Sequence, residues 1–137
     1  MTNEELIKIA FAARKYAYAP YSHFKVGAAL LTKNNRVYTG CNIENASFPA
    51  GLCAEKVAIS KAISEGDKEF LKIAIVGGKE DIEEPKDCCT PCGICRQTMA
   101  EFCDKEFEII LFDNGIPKIF SLDQLLPHSF NKNDLKK

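Results

Sequence analysis

The segment CCTPCGICRQ, residues 88–97, contains four cysteines within eight positions. Cysteine thiolates bind zinc and iron–sulfur clusters, so this density predicts a metal site. Two spacings are compatible with it. The pattern Cys89-x-x-Cys92-x-x-Cys95 could begin an iron–sulfur run, whereas Cys92-x-x-Cys95 alone could be half of a zinc site that another segment completes.

A second segment, Cys53-Ala54-Glu55, favours zinc. Hydrophobic periodicity places Cys53 and the pair Cys92 and Cys95 each at the first turn of a helix that follows a loop. The unpaired N–H groups and partial positive charge of a helix N-terminus favour thiolate over thiol. Two such helices side by side would direct three thiolates at one zinc ion, whose fourth position would stay open for water.

Glu55 supports an open, catalytic zinc site over a closed, structural one. It follows Cys53 by two residues and can reach the open position without binding the metal. A carboxylate beside a zinc-bound water can accept its proton and hand it to a substrate. An iron–sulfur cluster would need a fourth thiolate at the bacterial spacing, which Cys103 does not provide. We therefore do not expect Cys88 and Cys89 to be ligands.

Length and charge exclude several classes of protein. A chain of 137 residues predicts a single domain, residues 1–137, with a core that needs no disulfides. A net charge of −1 provides no basic face of the kind that nucleic-acid-binding proteins show. The chain has no secretory signal pattern and no run of the ~18–20 apolar residues that span a bilayer. We expect a cytoplasmic protein that binds neither nucleic acid nor a membrane.

The pattern of apolar and turn-forming residues predicts alternating helices and strands. Helices are predicted at 3–17, 53–64, 92–103 and 121–126, and strands at 25–32, 36–41, 72–77, 108–112 and 116–120. Residues 42–51 and the acidic segment before Cys88 are predicted loops, and the tail NKNDLKK is predicted to be frayed. This alternation indicates a layered α/β domain.

These motifs resemble the zinc-dependent nucleoside and nucleobase deaminases, whose signature joins Cys-Ala-Glu to Pro-Cys-x-x-Cys across 35 residues in this chain. The stretches AYAPYSHFKVGAAL, CNIENASF and LLPHSF are similar to the small homotetrameric cytidine deaminases, so the resemblance covers nearly the whole chain. It implies a three-layer α/β/α fold around a five-stranded mixed sheet. It also implies a homotetramer that takes a small nucleoside as substrate.

The resemblance implies a metal, a catalytic residue and a reaction. One Zn²⁺ per chain would be bound by Cys53, Cys92 and Cys95, with Glu55 as the proton shuttle. The expected reaction is the hydrolytic deamination of cytidine and 2′-deoxycytidine to uridine and 2′-deoxyuridine, as in pyrimidine salvage. Water activated at zinc would attack carbon 4 of cytosine, Glu55 would relay protons to ring nitrogen 3 and the amino group, and ammonia would leave.

Substrate contacts are implied in the same way. Asn42 and Glu44 are expected to hydrogen-bond the ribose 3′-hydroxyl, which can accept from an amide and donate to a carboxylate. Phe24 is expected to pack on the cytosine ring, and the backbone at Ala54 to recognise the edge of the base. Neighbouring subunits are expected to complete each pocket with three further residues, Ala46, Phe48 and Phe130.

Position 56 departs from the family, because Lys56 stands where related enzymes usually carry arginine. Three thiolates on Zn²⁺ leave a net charge of −1, which weakens the metal as a Lewis acid unless nearby cations offset it. Arginine can donate to two sulfurs, whereas lysine is a point charge. We expect Lys56, helped by Arg96, to supply this charge compensation. Position 48 is Phe48 where many relatives have tyrosine, so a hydroxyl contact is absent there.

Two other functions are compatible with the cysteines. A structural zinc domain that binds a partner protein would leave Glu55, Asn42 and Glu44 without a role. A deaminase of a cytosine-containing antibiotic should lack the Asn-x-Glu pattern, and one acting on RNA should have a basic surface. This chain has the Asn-x-Glu pattern, and its net charge of −1 provides no basic surface.

Overall fold

The computed structural model describes residues 1–136, which form a five-stranded sheet with helices on both faces. In chain order the elements are α1 (Asn3–Arg14), β1 (Phe24–Thr32), β2 (Val37–Cys41), a 3₁₀ turn (Phe48–Ala50), α2 (Ala54–Ser64), β3 (Phe70–Lys79), α3 (Gly93–Phe102), β4 (Glu108–Asp113), β5 (Ile116–Ser121), α4 (Leu122–Leu125) and α5 (Lys132–Leu135).

The sheet is mixed and has the strand order β2-β1-β3-β4-β5. Strands β3 and β4 are parallel, with Ile73 opposite Ile109, and the other three pairs are antiparallel. The β4–β5 turn places Asn114 and Gly115 at φ 54° and 78°, which is the left-handed geometry that an Asn-Gly hairpin turn requires. The predicted five-stranded mixed sheet is confirmed.

Alternation along the strands divides the core into two layers. On one face, Ala28 and Leu30 of β1 belong to the cluster that packs against α2 and α3. On the other face, Ala29 and Leu31 pack with Leu6 and other α1 residues. Both faces of the central strands are buried, as the continuous apolar runs of the sequence require. This is the predicted three-layer α/β/α arrangement.

Two glycines allow the helices to lie unusually close to the sheet. A Cβ atom on Gly40 of β2 would lie 2.1 Å from the carbonyl oxygen of Ala54, and one on Gly27 of β1 would lie 2.0 Å from that of Ala10. Neither distance is compatible with a side chain, so these positions require glycine. The Gly40 contact determines how closely the start of α2 approaches the sheet.

The structure differs from the predicted elements at the end of α1, along β3 and in the C-terminal tail. Helix α1 ends at Arg14 instead of residue 17, because the chain then turns to form a bridge in which Tyr18 N–H donates to the Asn42 carbonyl at 2.9 Å. Strand β3 is longer than predicted, since it pairs with β1 along its length. The tail is not frayed up to residue 136: it forms α5, which Asn131 caps, and Lys137 lies outside the described residues.

The acidic segment after β3 is tied to the domain by Arg14, which is almost fully buried. Its guanidinium group donates hydrogen bonds to five backbone carbonyl oxygens, those of Lys25, Gly78, Lys79, Ile82 and Glu83. Five donors in a planar group suit such a set of acceptors. The segment is therefore a structured loop, although it contains no helix or strand. No helix within residues 1–136 combines the length and apolar composition needed to cross a membrane.

Candidate metal centre and active site

Three cysteine sulfurs converge where helices α2 and α3 begin. Cys53 immediately precedes α2 and Cys92 immediately precedes α3, both with extended backbone, and Cys95 lies in the first turn of α3. The three sulfurs lie within 4.8 Å of one another, with 3.8 Å between those of Cys53 and Cys92. The structure thus brings together the three cysteines that the sequence analysis singled out.

The spacing of the sulfurs fits a zinc ion. A tetrahedral zinc with Zn–S distances of about 2.3 Å holds its sulfurs roughly 3.8 Å apart. The Cys53–Cys92 separation matches this value. Cys89 is not part of the cluster, which argues against the iron–sulfur spacing. The pKa of Cys89 is raised to about 12, chiefly by burial, so its thiol is neutral.

The pKa values of the clustered cysteines also favour a bound cation. The hydrogen bond with Cys95 lowers the pKa of Cys53 to about 6, and the same bond, with burial, raises the pKa of Cys95. Without a cation, the two sulfurs therefore do not readily become thiolates together. A divalent cation resolves this conflict, because it allows all three sulfurs to be thiolates at once.

Glu55 lies beside the sulfurs in the first turn of α2 and is 4% exposed. Burial, with a smaller contribution from the nearby Cys53, raises the pKa of its carboxyl group to about 7. A hydrogen bond with the Cys95 side chain acts in the opposite direction. A carboxyl group with a pKa near neutrality can both accept and donate a proton, which suits a general acid–base.

A cavity of about 740 Å³ is lined by Cys53 and Cys92 of the cluster. Its lining joins the metal centre to the residues expected to bind substrate, which include Phe24, Asn42, Glu44 and Ala54. The volume is in the range of sites for small organic ligands. Phe24 is 40% exposed, whereas Ala54 is fully buried.

Asn42 fixes the backbone of β1 at the cavity wall. Its side-chain oxygen accepts from Val26 N–H at 2.8 Å, and its side-chain nitrogen donates to the Phe24 carbonyl, also at 2.8 Å. The amide keeps one lone pair and one N–H hydrogen for a further partner. The residue expected to bind ribose therefore also holds the residue expected to pack on the base.

Sequence reasoning missed Ser22 and Cys89, which both line the cavity. The Ser22 hydroxyl contacts Glu44 and the Phe24 backbone. The Cys89 sulfur lies over Gly77, where an added Cβ atom would be only 2.7 Å from it. Ser22 belongs to no spacing pattern, and the spacing of Cys89 indicated an iron–sulfur ligand instead of a residue of the cavity wall, so only the three-dimensional arrangement reveals where they lie.

The two cations near the metal centre differ in their surroundings. Lys56 lines the cavity, and its charge contributes to the lowered pKa of Cys53. Arg96 donates to the carbonyl oxygens of Pro91 and Leu125, at 2.7 and 2.6 Å, and so ties the start of α3 to α4. Charge compensation by Arg96 stays a prediction, since the hydrogen bonds that its guanidinium group makes here are to backbone oxygens.

The three residues expected to serve a neighbouring subunit lie on the surface. Phe48 is 78% exposed, lines the cavity of its own chain and packs edge-on against Tyr21 at 6.3 Å. Phe130 is 62% exposed, and its carbonyl accepts from Gln97. Among residues 1–136, neither Ala46 nor Phe130 lines the cavity of its own chain.

Comparisons with known proteins agree with this geometry. Residues 1–111 match the family model described as the cytidine and deoxycytidylate deaminase zinc-binding region. The chain is 43% identical to cytidine deaminases from Sporosarcina psychrophila and Halalkalibacterium halodurans, over 98% of its length and 96% and 98% of theirs. A crystal structure of cytidine deaminase from Burkholderia pseudomallei superposes with a TM-score of 0.85 at 44% identity, covering 95% of this chain and 100% of that one. The chain belongs to the cytidine and deoxycytidylate deaminase family.

Proposed function

We propose that this protein catalyses the zinc-dependent hydrolysis of cytidine and 2′-deoxycytidine to uridine and 2′-deoxyuridine, with release of ammonia. The observation that carries the proposal is the position of Glu55, buried beside three sulfurs spaced for zinc. A structural zinc site would have no use for such a carboxyl group. The substrate class is supported by the relatives at 43% identity over nearly the whole chain.

Cys53, Cys92 and Cys95 would hold one zinc ion per chain. When bound, the ion would supply a water molecule of lowered pKa as the nucleophile for carbon 4 of cytosine. The carboxylate of Glu55 would accept a proton from the attacking water and deliver it to ring nitrogen 3. The remaining hydroxyl proton then moves through Glu55 to the 4-amino group, the carbon–nitrogen bond breaks, and ammonia leaves as the carbonyl of uridine forms.

The cavity wall would orient the nucleoside for this step. Phe24, which is 40% exposed, would pack on the cytosine ring, and the backbone at Ala54, which also lines the cavity, would recognise the edge of the base. Asn42 and Glu44 lie on the same wall and would hydrogen-bond the ribose 3′-hydroxyl. Correct positioning matters because it turns attack by water into an effectively unimolecular step.

We also propose that four copies of this single-domain chain, residues 1–137, form a homotetramer in the cytoplasm and act in pyrimidine salvage. Support comes from the exposed aromatic side chains near the cavity, since a large exposed apolar surface is typical of an interface. Ala46, Phe48 and Phe130 of neighbouring subunits would then complete each pocket.

The experiment is to incubate the zinc-containing protein with cytidine and with 2′-deoxycytidine and to quantify ammonia and the product nucleoside. We expect one ammonia released for each uridine or 2′-deoxyuridine formed. Release of neither product, from protein shown to contain zinc, would contradict the proposed substrate. It would direct the search to other cytosine compounds, of which a cytosine-containing antibiotic is the first to test.

A further inference from the structure

The carboxylate of Glu44 is held by the loop between α1 and β1. One of its oxygens accepts from the backbone N–H groups of Tyr21 and Ser22, at 3.0 and 3.1 Å. Its other oxygen accepts from the Ser22 hydroxyl. Three of the four lone-pair positions of the carboxylate are therefore occupied, and the remaining one lies on the oxygen that Ser22 contacts.

The Ser22 hydroxyl also contacts Phe24. Its oxygen accepts from the Phe24 N–H at 3.0 Å, so its single hydrogen is available for Glu44. The contact with the Phe24 carbonyl, at 3.5 Å, is too long to compete for that hydrogen. With Asn42 on the Phe24 carbonyl at 2.8 Å, both polar groups of the Phe24 backbone are engaged.

We propose that Ser22 is a positioning residue that joins ribose recognition by Glu44 to packing of the base on Phe24. The inference rests on the proposed function, since it assumes that Glu44 binds the ribose 3′-hydroxyl. A single hydroxyl group sets the direction of the free lone pair on Glu44 and the start of the strand that carries Phe24. Substrate binding therefore depends on a residue that need not touch the substrate.

The ionisation of Glu44 agrees with this assignment. The hydrogen bond from the Ser22 side chain is the largest cause of the lowered pKa of Glu44, and the backbone N–H groups of Ser22 and Tyr21 act in the same direction. A carboxylate that stays ionised accepts a hydrogen bond from a ribose hydroxyl better than a protonated carboxyl group does.

The first test compares Ser22→Ala with Ser22→Thr, which keeps the hydroxyl, and with Ser60→Ala, a control at an exposed serine of α2. Because a hydrogen bond to a charged group is involved, we expect Ser22→Ala to raise KM for cytidine and 2′-deoxycytidine by about tenfold. We expect kcat to change by less than about twofold, and Ser22→Thr to restore most of the loss.

The substrate 3′-deoxycytidine separates positioning from a general effect on the fold. It lacks the hydroxyl group that Glu44 would bind, so Ser22→Ala should raise KM by a clearly smaller factor for 3′-deoxycytidine than for cytidine. An equal loss on both substrates, or an unchanged KM for cytidine, would overturn the proposal.

A second measurement does not depend on turnover. In a ¹³C NMR titration of the Glu44 carboxyl group, Ser22→Ala should raise its pKa, and Ser60→Ala should leave it unchanged. An unchanged Glu44 pKa in Ser22→Ala would show that the hydroxyl does not hold the carboxylate. Failure of the unaltered protein to convert cytidine would contradict the proposed function instead, so the two failures are distinguishable.

Discussion

At the scale of single residues, the chemistry of the site depends on charge. Glu55 is buried, and burial, with a smaller contribution from the Cys53 sulfur, favours its protonated form. The thiolates in turn reduce the electrophilic character of a bound zinc ion. Cations close to the sulfurs therefore matter, and among residues 1–136 Lys56 is the one that lines the cavity.

Lys56→Gln should lower kcat for cytidine by roughly tenfold. This factor corresponds to the loss of a charge interaction between Lys56 and the metal site worth about one pKa unit. Zinc content should change little, because three thiolates still bind the metal. Lys56→Arg is the matched control and should retain or exceed the normal rate, since a guanidinium group can donate to two sulfurs. Steady-state kinetics and metal analysis on the same preparations make the comparison. A normal kcat in Lys56→Gln would remove this residue from the mechanism.

At the scale of elements, the site depends on the placement of two helix N-termini. Cys53 immediately precedes α2, which carries Glu55, and Cys92 immediately precedes α3, which carries Cys95, so that the two helix starts bring the three sulfurs together. The close approach at Gly40 sets the height of α2 above β2, through contact with the carbonyl of Ala54. Ala54 lies between Cys53, a proposed metal ligand, and Glu55, the proposed proton shuttle, so the Gly40 contact affects the position of both.

Gly40→Ala should destabilise the protein by about 1–3 kcal/mol, because the added methyl group overpacks against the backbone of α2. The measurement is chemical denaturation at fixed protein and zinc concentrations. Gly93→Ala makes the same change in the first turn of α3, where the new Cβ atom would meet nothing within 4 Å, and serves as the control for stability. Equal stability of the two variants would show that the α2–β2 contact is not tightly packed.

Most of these elements could be predicted from sequence because their signals are local. The apolar run of β3, the Asn114-Gly115 turn and the helix starts near Cys53 and Cys92 each lie within a few residues. The grouping of the three cysteines could be predicted because each lies at one of these two helix starts. The end of α1 could not be predicted, since it depends on pairing between Tyr18 and Ile43, far apart in the chain.

The same reason explains the site residues that were missed. The hydroxyl group of Ser22 contacts Glu44, which lies 22 positions further along the chain. The hydrogen bonds from Arg14 to the end of β3 and to the acidic segment join residues more than 60 positions apart. No periodic pattern records such pairings. The roles of Phe24, Asn42 and Glu44 came from the family resemblance, and neither spacing nor composition indicates them.

At the scale of the whole molecule, two of the exposed aromatic side chains bear on assembly. Phe48, which lines the cavity, is 78% exposed, and Phe130, which does not line the cavity of its own chain, is 62% exposed. Exposed apolar surface is typical of an interface with another protein chain. A homotetramer would cover them and would add side chains to each pocket.

Sedimentation equilibrium should give a mass four times that of the 15.2 kDa chain. Phe48→Ser and Phe130→Ser should shift the distribution toward smaller species and raise KM for cytidine, because each removes apolar interface area. Ile116→Ser is the control, since Ile116 is also well exposed but lies on the edge strand β5. A fully active monomer would contradict a pocket shared between subunits.

The most direct test of the central claim follows the ultraviolet absorbance of cytidine as it is converted to uridine, with the unaltered protein and Glu55→Ala at equal zinc content. Removal of a general acid–base costs roughly 10²–10⁴ in rate, so we expect steady conversion by the first and a loss of that size in the second. Near-normal conversion by Glu55→Ala would contradict the assigned role of Glu55 as proton shuttle.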